Sequence, residues 1–432
     1  MDTLILESGI YSLHLGREGI SAPVRGARRR PPERLPHGRT REVLDVALEG
    51  NGSLSGVARL AELICARARR GRRAYLQIAD PAGERYHSLL LDGWVETLGR
   101  GPDSAGLRLT LVRADAWEGD LIPVDLCGPL ETTAAGVTLF RRCDQPGTGI
   151  AALVLLPEGA ASQPAPVRLE VSNDAPDAPA VGDVYVFAAQ DQDELSAAYR
   201  MEAEWGNPGA GVSAQVIAAA ECSGGTFVRY TWSAVDAVRL SFCSLPQILQ
   251  NQCAGRPVRP LVRLPAPWAG GDCWLHWRIT NENGSVLATG EPVLLTAGRQ
   301  FHPLPALHFP AGAAGSHLSE RVELWGTAAA PAVLEVDVWL LLPAEGYRRY
   351  TALDPLPGGW SLVDDGVDSD LVYARHESSG QRRETHRVEG PPLEVWPGGR
   401  QALFVAWETP GQTSIAGQVR LRLLTRPRIK EI

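Results

Sequence analysis

Four aspartates, Asp364, Asp365, Asp368 and Asp370, fall within one short segment, LVDDGVDSD, and oxygen ligands at that density are what a calcium ion requires. Their spacing departs from an EF-hand loop, and Asp/Gly clusters also build hairpin turns, which is the plainer expectation. Glu202 and Glu204, in the run MEAEW, are a candidate carboxylate pair for glycoside hydrolysis. Nothing in the sequence supplies the partner geometry, and a strand edge accounts for them. The nine histidines make no i, i+4 pair, and His302 and His308 flank a proline-rich loop, FHPLPALHFPAG. GxSxG, HExxH, a Walker A motif and a GxGxxG following a strand are all missing, and Lys430 is the only lysine. The chain is therefore expected to carry no catalytic residues, no metal and no cofactor.

Two groups of residues suit recognition better than catalysis. Arg25, Arg28, Arg29, Arg30, Arg34, Arg39 and Arg41 crowd the segment 25–41. Guanidiniums fork onto carboxylates, so the segment fits an inter-subunit arm that grips a neighbouring copy. A solvated loop is the competing reading, and contact with passing DNA phosphates suits poorly a protein of net charge −8. The segment CWLHWRIT puts Trp274, His276 and Arg278 on one strand face and Leu275, Trp277 and Ile279 on the other. Trp274 beside His276 fits a glycan contact, because an indole packs on the apolar face of a pyranose, while sandwich core or rim is the commoner fate of such residues. Trp232, Trp325 and Trp339 are read in the same way.

These residues need elements to hold them. At 432 residues, 44% hydrophobic and 21% charged, the chain has an ordinary globular composition and the length for two or three domains. Glycine (45) and proline (33) cut the apolar runs short, which favours β-sandwiches or barrels. Near the N-terminus 4–6, 10–13 and 43–48 read as strands, and APVRGARRRPPERLPHGRTR between them, lacking an apolar period, reads as a long excursion. SGVARLAELICARARRG places Val57, Leu60, Ala61, Ile64 and Ala68 at helical spacing, with Ser53 or Ser55 as N-cap and Gly71 as the stop. Strands over 74–79 and 86–95 follow, joined by a DPAGE turn. In LRLTLVRADAWEGD, Leu107, Leu109 and Leu111 alternate with Arg108 and Thr110 until Ala114, after which Asp115, Trp117 and Glu118 look like the sealed rim of a folded unit.

Beyond Asp120 the helical signal fades into short strand segments, among them 151–156, 167–171, 183–188, 226–232, 273–280, 332–342, 402–407 and 419–424, which indicate two β-sandwiches. Seven unclustered cysteines read as reduced, buried hydrophobes. The opening MDTLILESG has an early acid and no basic n-region, and no apolar run approaches the ~18 residues of a membrane span. Assembly in a cytoplasm is expected, with no membrane insertion and no specific nucleic-acid partner.

The order of elements in the first 125 residues resembles the N-terminal domain of distal tail proteins of long-tailed bacteriophages. The resemblance lies in the arginine-rich segment ending GRTREV, the strand VLDVAL, the helix VARLAELICARA, the hairpin RRAYLQIADPAGERYHSLLLDGWVE and the closing LRLTLVRADAWEGD, where Asp115 and Trp117 take the places of that family's acid-and-aromatic ending. Further on, APVRLEVSN (165–173) is similar to the strand that opens the family's galectin-like sandwich, and PLEVWPGGRQALFVAWE through VRLRLLTRPRI to its last strands and terminal arm. VDVWLLLPAEGY looks like the final strand of an inserted sandwich of the carbohydrate-binding-module type. The resemblance implies a mainly β protein with a ring-forming or belt domain over 1–125, a galectin-like β-sandwich over 126–190 plus 346–432, and an inserted β-sandwich over 191–345. It implies a structural protein of the virion tail, a hexameric homo-oligomer joining the tail tube protein to the hub or tail-associated protein at the tip of a phage or prophage tail. The alternative is a carbohydrate-binding adsorption or fibre-associated protein whose sandwiches contact a cell-surface glycan.

Overall fold

In the computed structural model the chain is mainly β, with one α-helix among the described residues, which are 3–15, 24–49, 54–79, 85–100, 104–127, 141–142, 150–155, 162–174, 176–189, 200–220, 222–245, 253–310, 320–329, 331–368, 371–397, 401–408 and 419–429. Ser53, the DPAGE turn at 80–84, Asp370 and Lys430 lie outside them, as do the side chains of Cys127 and Cys143. The chain divides into two compact units, the first made of Met1–Ile122, Pro157–Ala165 and Arg426–Ile432 and the second of Pro123–Leu156 and Pro166–Thr425.

The first unit contains β1 (Thr3–Ser8), β2 (Tyr11–His14), β3 (Val24–Arg29), β4 (Glu33–Leu35), β5 (Arg39–Glu49), α1 (Leu54–Arg69), β6 (Tyr75–Ala79), β7 (Arg85–Arg100), β8 (Ser104–Ala114) and β9 (Trp117–Glu118). Neighbours in the order β2-β1-β6-β7-β8-β5-β3 are hydrogen-bonded and antiparallel. β7 is long enough to serve two partners: Arg85 to Leu89 pair with β6, and Leu90 to Arg100 pair with β8. A register shift between Leu90 and Asp92 marks the bulge where it changes partner.

The helix covers this sheet with Leu54, Val57, Ala61, Ile64, Cys65 and Ala68, an i, i+3/i+4 stripe that shares one core with Leu44, Val46, Leu107, Leu109 and Leu111. It stops as its sequence dictates. Gly71 has φ +70°, and the N–H groups of Gly71 and Arg72 donate to the carbonyls of Ala68 and Arg67. Sheet and helix approach closely at Gly93 of β7, where a Cβ would stand 2.7 Å from Cys65 Sγ and 3.0 Å from Leu111 Cδ2.

The arginine-rich segment is not an excursion. Val24–Arg29 and Glu33–Leu35 are strands laddered onto β5, and the hairpin between β4 and β5 turns through His37 and Gly38, both at φ +63°. An apolar period is missing because these strands are joined to β5 by charge as much as by packing: Glu42 and Asp45 on β5 accept from arginines on both sides.

In the second unit one sheet runs in the order Val419–Thr425, Ala165–Asn173, Trp360–Asp365, Leu371–His376, Arg382–Arg383, and another in the order Asp125–Cys127, Ile150–Leu155, Gln401–Trp407, Val184–Ala189, Arg348–Ala352, His386–Glu389. Strands between residues 200 and 343 pair only with one another among the described residues. They form three smaller sheets, one of them ordered Val238–Ser244, Arg321–Ala328, Cys273–Thr280, Val286–Thr289. Tyr230, Trp232, Leu240, Leu275, Trp277, Leu324, Trp339 and Leu341 from these sheets share one core. Each fully buried aromatic of this kind contributes on the order of 2–3 kcal/mol by leaving water. The five cysteines with described side chains, Cys65, Cys222, Cys243, Cys253 and Cys273, are buried.

Candidate functional site

On the arginine side of the first unit, Glu42 is fully buried and accepts from Arg29 Nε and Nη2 at 2.9 Å each and from Arg113 Nε and Nη2 at 2.9 and 2.7 Å. Both guanidiniums also lie over the ring of Trp117, with centroid distances of 5.5 Å for Arg29 and 4.2 Å for Arg113. Trp117 is itself fully buried, and Asp115 beside it accepts from Thr40 Oγ1 at 2.6 Å. The acid-and-tryptophan ending is thus a plug held by the arginine strands. A hydrogen bond from Arg108 holds the Asp45 carboxyl below the usual carboxylate range, with Arg30 adding to it, and Arg41 pairs with Glu33 at 2.8 Å.

Of the seven arginines, Arg29, Arg30 and Arg41 are therefore engaged by carboxylates of their own chain. Arg25 and Arg34 are exposed but also have partners within the chain. Arg28 and Arg39 are exposed and have no partner among the described residues. Among the described residues β3 is the last strand of the sheet on this side.

The sheet face read as a glycan contact lies in the second unit. Trp274 is 43% exposed, and His276 is buried. Across the ladder Trp274 faces Thr327, His276 faces Trp325 and Arg278 faces Glu323. His276 stacks on Trp325 with centroids 5.9 Å apart, and the Arg278 guanidinium lies 4.1 Å over the same ring. Trp325 Nε1 donates to Glu323 Oε2 at 2.8 Å, while Arg239 holds the other oxygen at 3.0 Å. Burial, with the Arg278 charge beside it, lowers the His276 pKa, so the imidazole is neutral at pH 7. The face combines an exposed indole, a half-buried indole braced by two cationic or aromatic neighbours, and fixed polar groups at its edge. Such a surface can stack on a ring and hydrogen-bond hydroxyls.

Arg278 lies on this face as its alternation predicts, and Trp325 joins it although it was expected among core residues; Trp232 and Trp339 are buried. The signal lay in the alternation V-E-L-W-G of Arg321–Ala328, which puts Trp325 on the face opposite Leu324. Trp277, on the inward face, is fully buried.

The acidic candidates are engaged with the fold. Asp364 takes Arg348 and Tyr350, Asp365 accepts from Arg168 Nε at 3.0 Å, and Asp368 pairs with the same arginine. Among the described residues no cluster of His, Cys, Asp or Glu is arranged to hold a metal ion. Glu202, on an edge strand, accepts from Ser223 Oγ and Glu204 from Thr226 Oγ1, each at 2.8 Å. His302 is buried beside a charged cluster that sequence reasoning missed. Arg299 reaches Asp183 at 2.6 Å and Glu408 at 2.8 Å, and Arg349 reaches Asp183 at 2.9 Å. These ties link the loop at Arg299 to strands near Asp183 and Glu408, far away in sequence.

No protein-family profile matches the chain, and no curated protein matches it. Among solved structures it is similar to the Dit protein of phage SPP1, described as a paradigm of the hub adsorption apparatus in phages infecting Gram-positive hosts, with 8% identity over 99% of this chain and 98% of that one and a TM-score of 0.25. A structure of infectious bursal disease virus, Gx strain, is similar at 10% identity over 71% of this chain and 80% of that one, with a TM-score of 0.16. Superpositions this loose assign neither a fold nor a role.

Proposed function

We propose that this chain is a structural component of a phage or prophage tail tip, and that the first units of six copies form a ring between the tail tube and the hub. The observation that supports the reading is the first unit itself. The elements on which the sequence resemblance rests occur there in the same order, as one sheet with one helix, closed by Trp117. A ring needs a heterologous contact, one surface of each copy meeting a different surface of the next. β3 supplies a sheet edge for that contact, and Arg28 and Arg39 supply exposed guanidiniums for a neighbour's carboxylates. The role is recognition and support, without a catalytic step or a cofactor.

Light scattering with negative-stain imaging of the purified chain tests this. The expected result is a six-copy ring that the double substitution Arg28→Glu, Arg39→Glu breaks into folded monomers. A wild-type chain that stays monomeric at the highest attainable concentration would overturn it.

A second role is supported by the exposed Trp274. The sheet face it shares with Trp325 and Arg278 contacts a cell-surface glycan, as an adsorption element carried by the ring.

A further inference from the structure

We propose that the second unit carries an oxyanion-binding cleft, built for a ligand with more than one phosphate or carboxylate group. The cleft, of about 840 Å³, lies where the two large sheets of this unit end, between edge strands Arg382–Arg383 and His386–Glu389. The chain crosses from one sheet edge to the other through Glu384 and Thr385, so both edges contribute to a single wall.

Arginines dominate that wall. Arg348, at its base, is satisfied within the fold: its Nε and Nη2 donate to Asp364 at 2.5 and 3.1 Å, and its Nη1 donates to the Gly390 carbonyl at 3.0 Å. Arg382, Arg383 and Arg387 differ. All three are exposed, line the cleft, and have no carboxylate partner among the described residues. Many other arginines of this acidic protein are matched by carboxylates, as at Glu42, Asp45 and Asp183. Glu384 is the one acid among the described residues that line the cleft, so the local balance is positive within a chain of net charge −8.

Two of the three guanidiniums are also held in place. Arg382 lies 4.6 Å over the Tyr373 ring and Arg383 lies 4.4 Å over the Trp360 ring. A guanidinium stacked by its face keeps its N–H edges free, and the ring removes part of the rotamer freedom that binding would otherwise have to remove. Forked donors in that state match the paired oxygens of a phosphate or carboxylate. Arg383 turns to the opposite face of its strand, toward Trp360, so Arg382 and Arg387 are left as the forked donors for the cleft, and two such donors favour a ligand with more than one anionic group over a single small anion.

The test is calorimetric titration of the full chain with tripolyphosphate and, separately, with the tricarboxylate tricarballylate, at low and at moderate salt. Saturable binding of either probe that weakens with salt is expected, and the preferred probe tells phosphate from carboxylate. Arg382→Gln with Arg387→Gln should weaken it roughly tenfold or more, with the melting temperature unchanged because both side chains are exposed. The control pair Arg70→Gln, Arg72→Gln, exposed on the first unit, should leave binding as it was. No saturable heat with either probe, or an equal loss in the control pair, would overturn the proposal. The outcome is independent of ring formation.

Discussion

Burial decides the charge state of His302. Taken out of water beside Arg299 and Arg349, its pKa falls from 6.5 to about 4, although the Arg299 carbonyl at 3.2 Å opposes the shift. Between those values the unfolded chain binds a proton that the fold refuses, so the stability this site supports at pH 7 is lost as pH falls from about 6.5 towards 4. The shift corresponds to roughly 3 kcal/mol at most. Urea denaturation at pH 7 and pH 4.5 should therefore show a smaller acid loss for His302→Gln than for the wild type; equal losses would remove His302 from the account. Trp274 makes a prediction of the opposite kind. Its ring is 43% exposed, so Trp274→Ala should leave the melting temperature within about a degree while abolishing retention on any glycan array feature the wild type recognises. Retention that survives the substitution would separate the glycan role from this face.

At the scale of elements, contact between α1 and the sheet depends on the absence of a side chain. A methyl at Gly93 would overlap Cys65 Sγ at 2.7 Å and press on the Thr110 carbonyl at 3.3 Å. Gly93→Ala is expected to cost about 1–3 kcal/mol, and Cys65→Ala in the same chain to recover part of that; a chemical-denaturation double-mutant cycle measures the coupling. The helix was legible in the sequence because its stripe repeats at helical spacing and Gly71 ends it, and β8 because Leu107, Leu109 and Leu111 alternate. β3 and β4 were not, because their partners are Glu42, Asp45 and Arg41, and charge matching between strands leaves no periodic trace in any one of them. The same reason hid Asp183, Arg299 and Glu408, which meet across more than a hundred residues. The face of Trp274 could be read from alternation alone, whereas Trp325 needed the ladder to put it beside His276.

For the molecule as a whole, the most telling pairing joins positions far apart in the chain. Arg428 and Ile429 ladder onto Glu118 and Trp117, Arg428 forks onto Glu118 Oε1 at 2.9 and 2.8 Å, and Ile429 packs on the first unit's core. Burial raises the Glu118 pKa, yet His87 and Arg428 outweigh it and hold the carboxyl below its usual range. Ending the chain after Thr425 should cost the first unit roughly 2–4 kcal/mol, from the lost apolar contact and the orphaned acid. Hydrogen exchange would show it as lost protection in β9 with protection retained in strand Thr226–Trp232; unchanged β9 protection would mean the strand is an accessory.

This pairing also sets a timetable. A ribosome emits residues in order, and domains ordinarily fold as they emerge. Here the unit that begins first receives its last strand only after the whole second unit has been made. Until then Trp117 and Glu118 wait without Ile429 and Arg428, so a nascent chain holds a nearly finished but unsealed first unit until those residues emerge. If the proposed ring contact is made through this unit, it would mature only after Arg428 and Ile429 have emerged, which would keep shorter nascent chains out of the assembly.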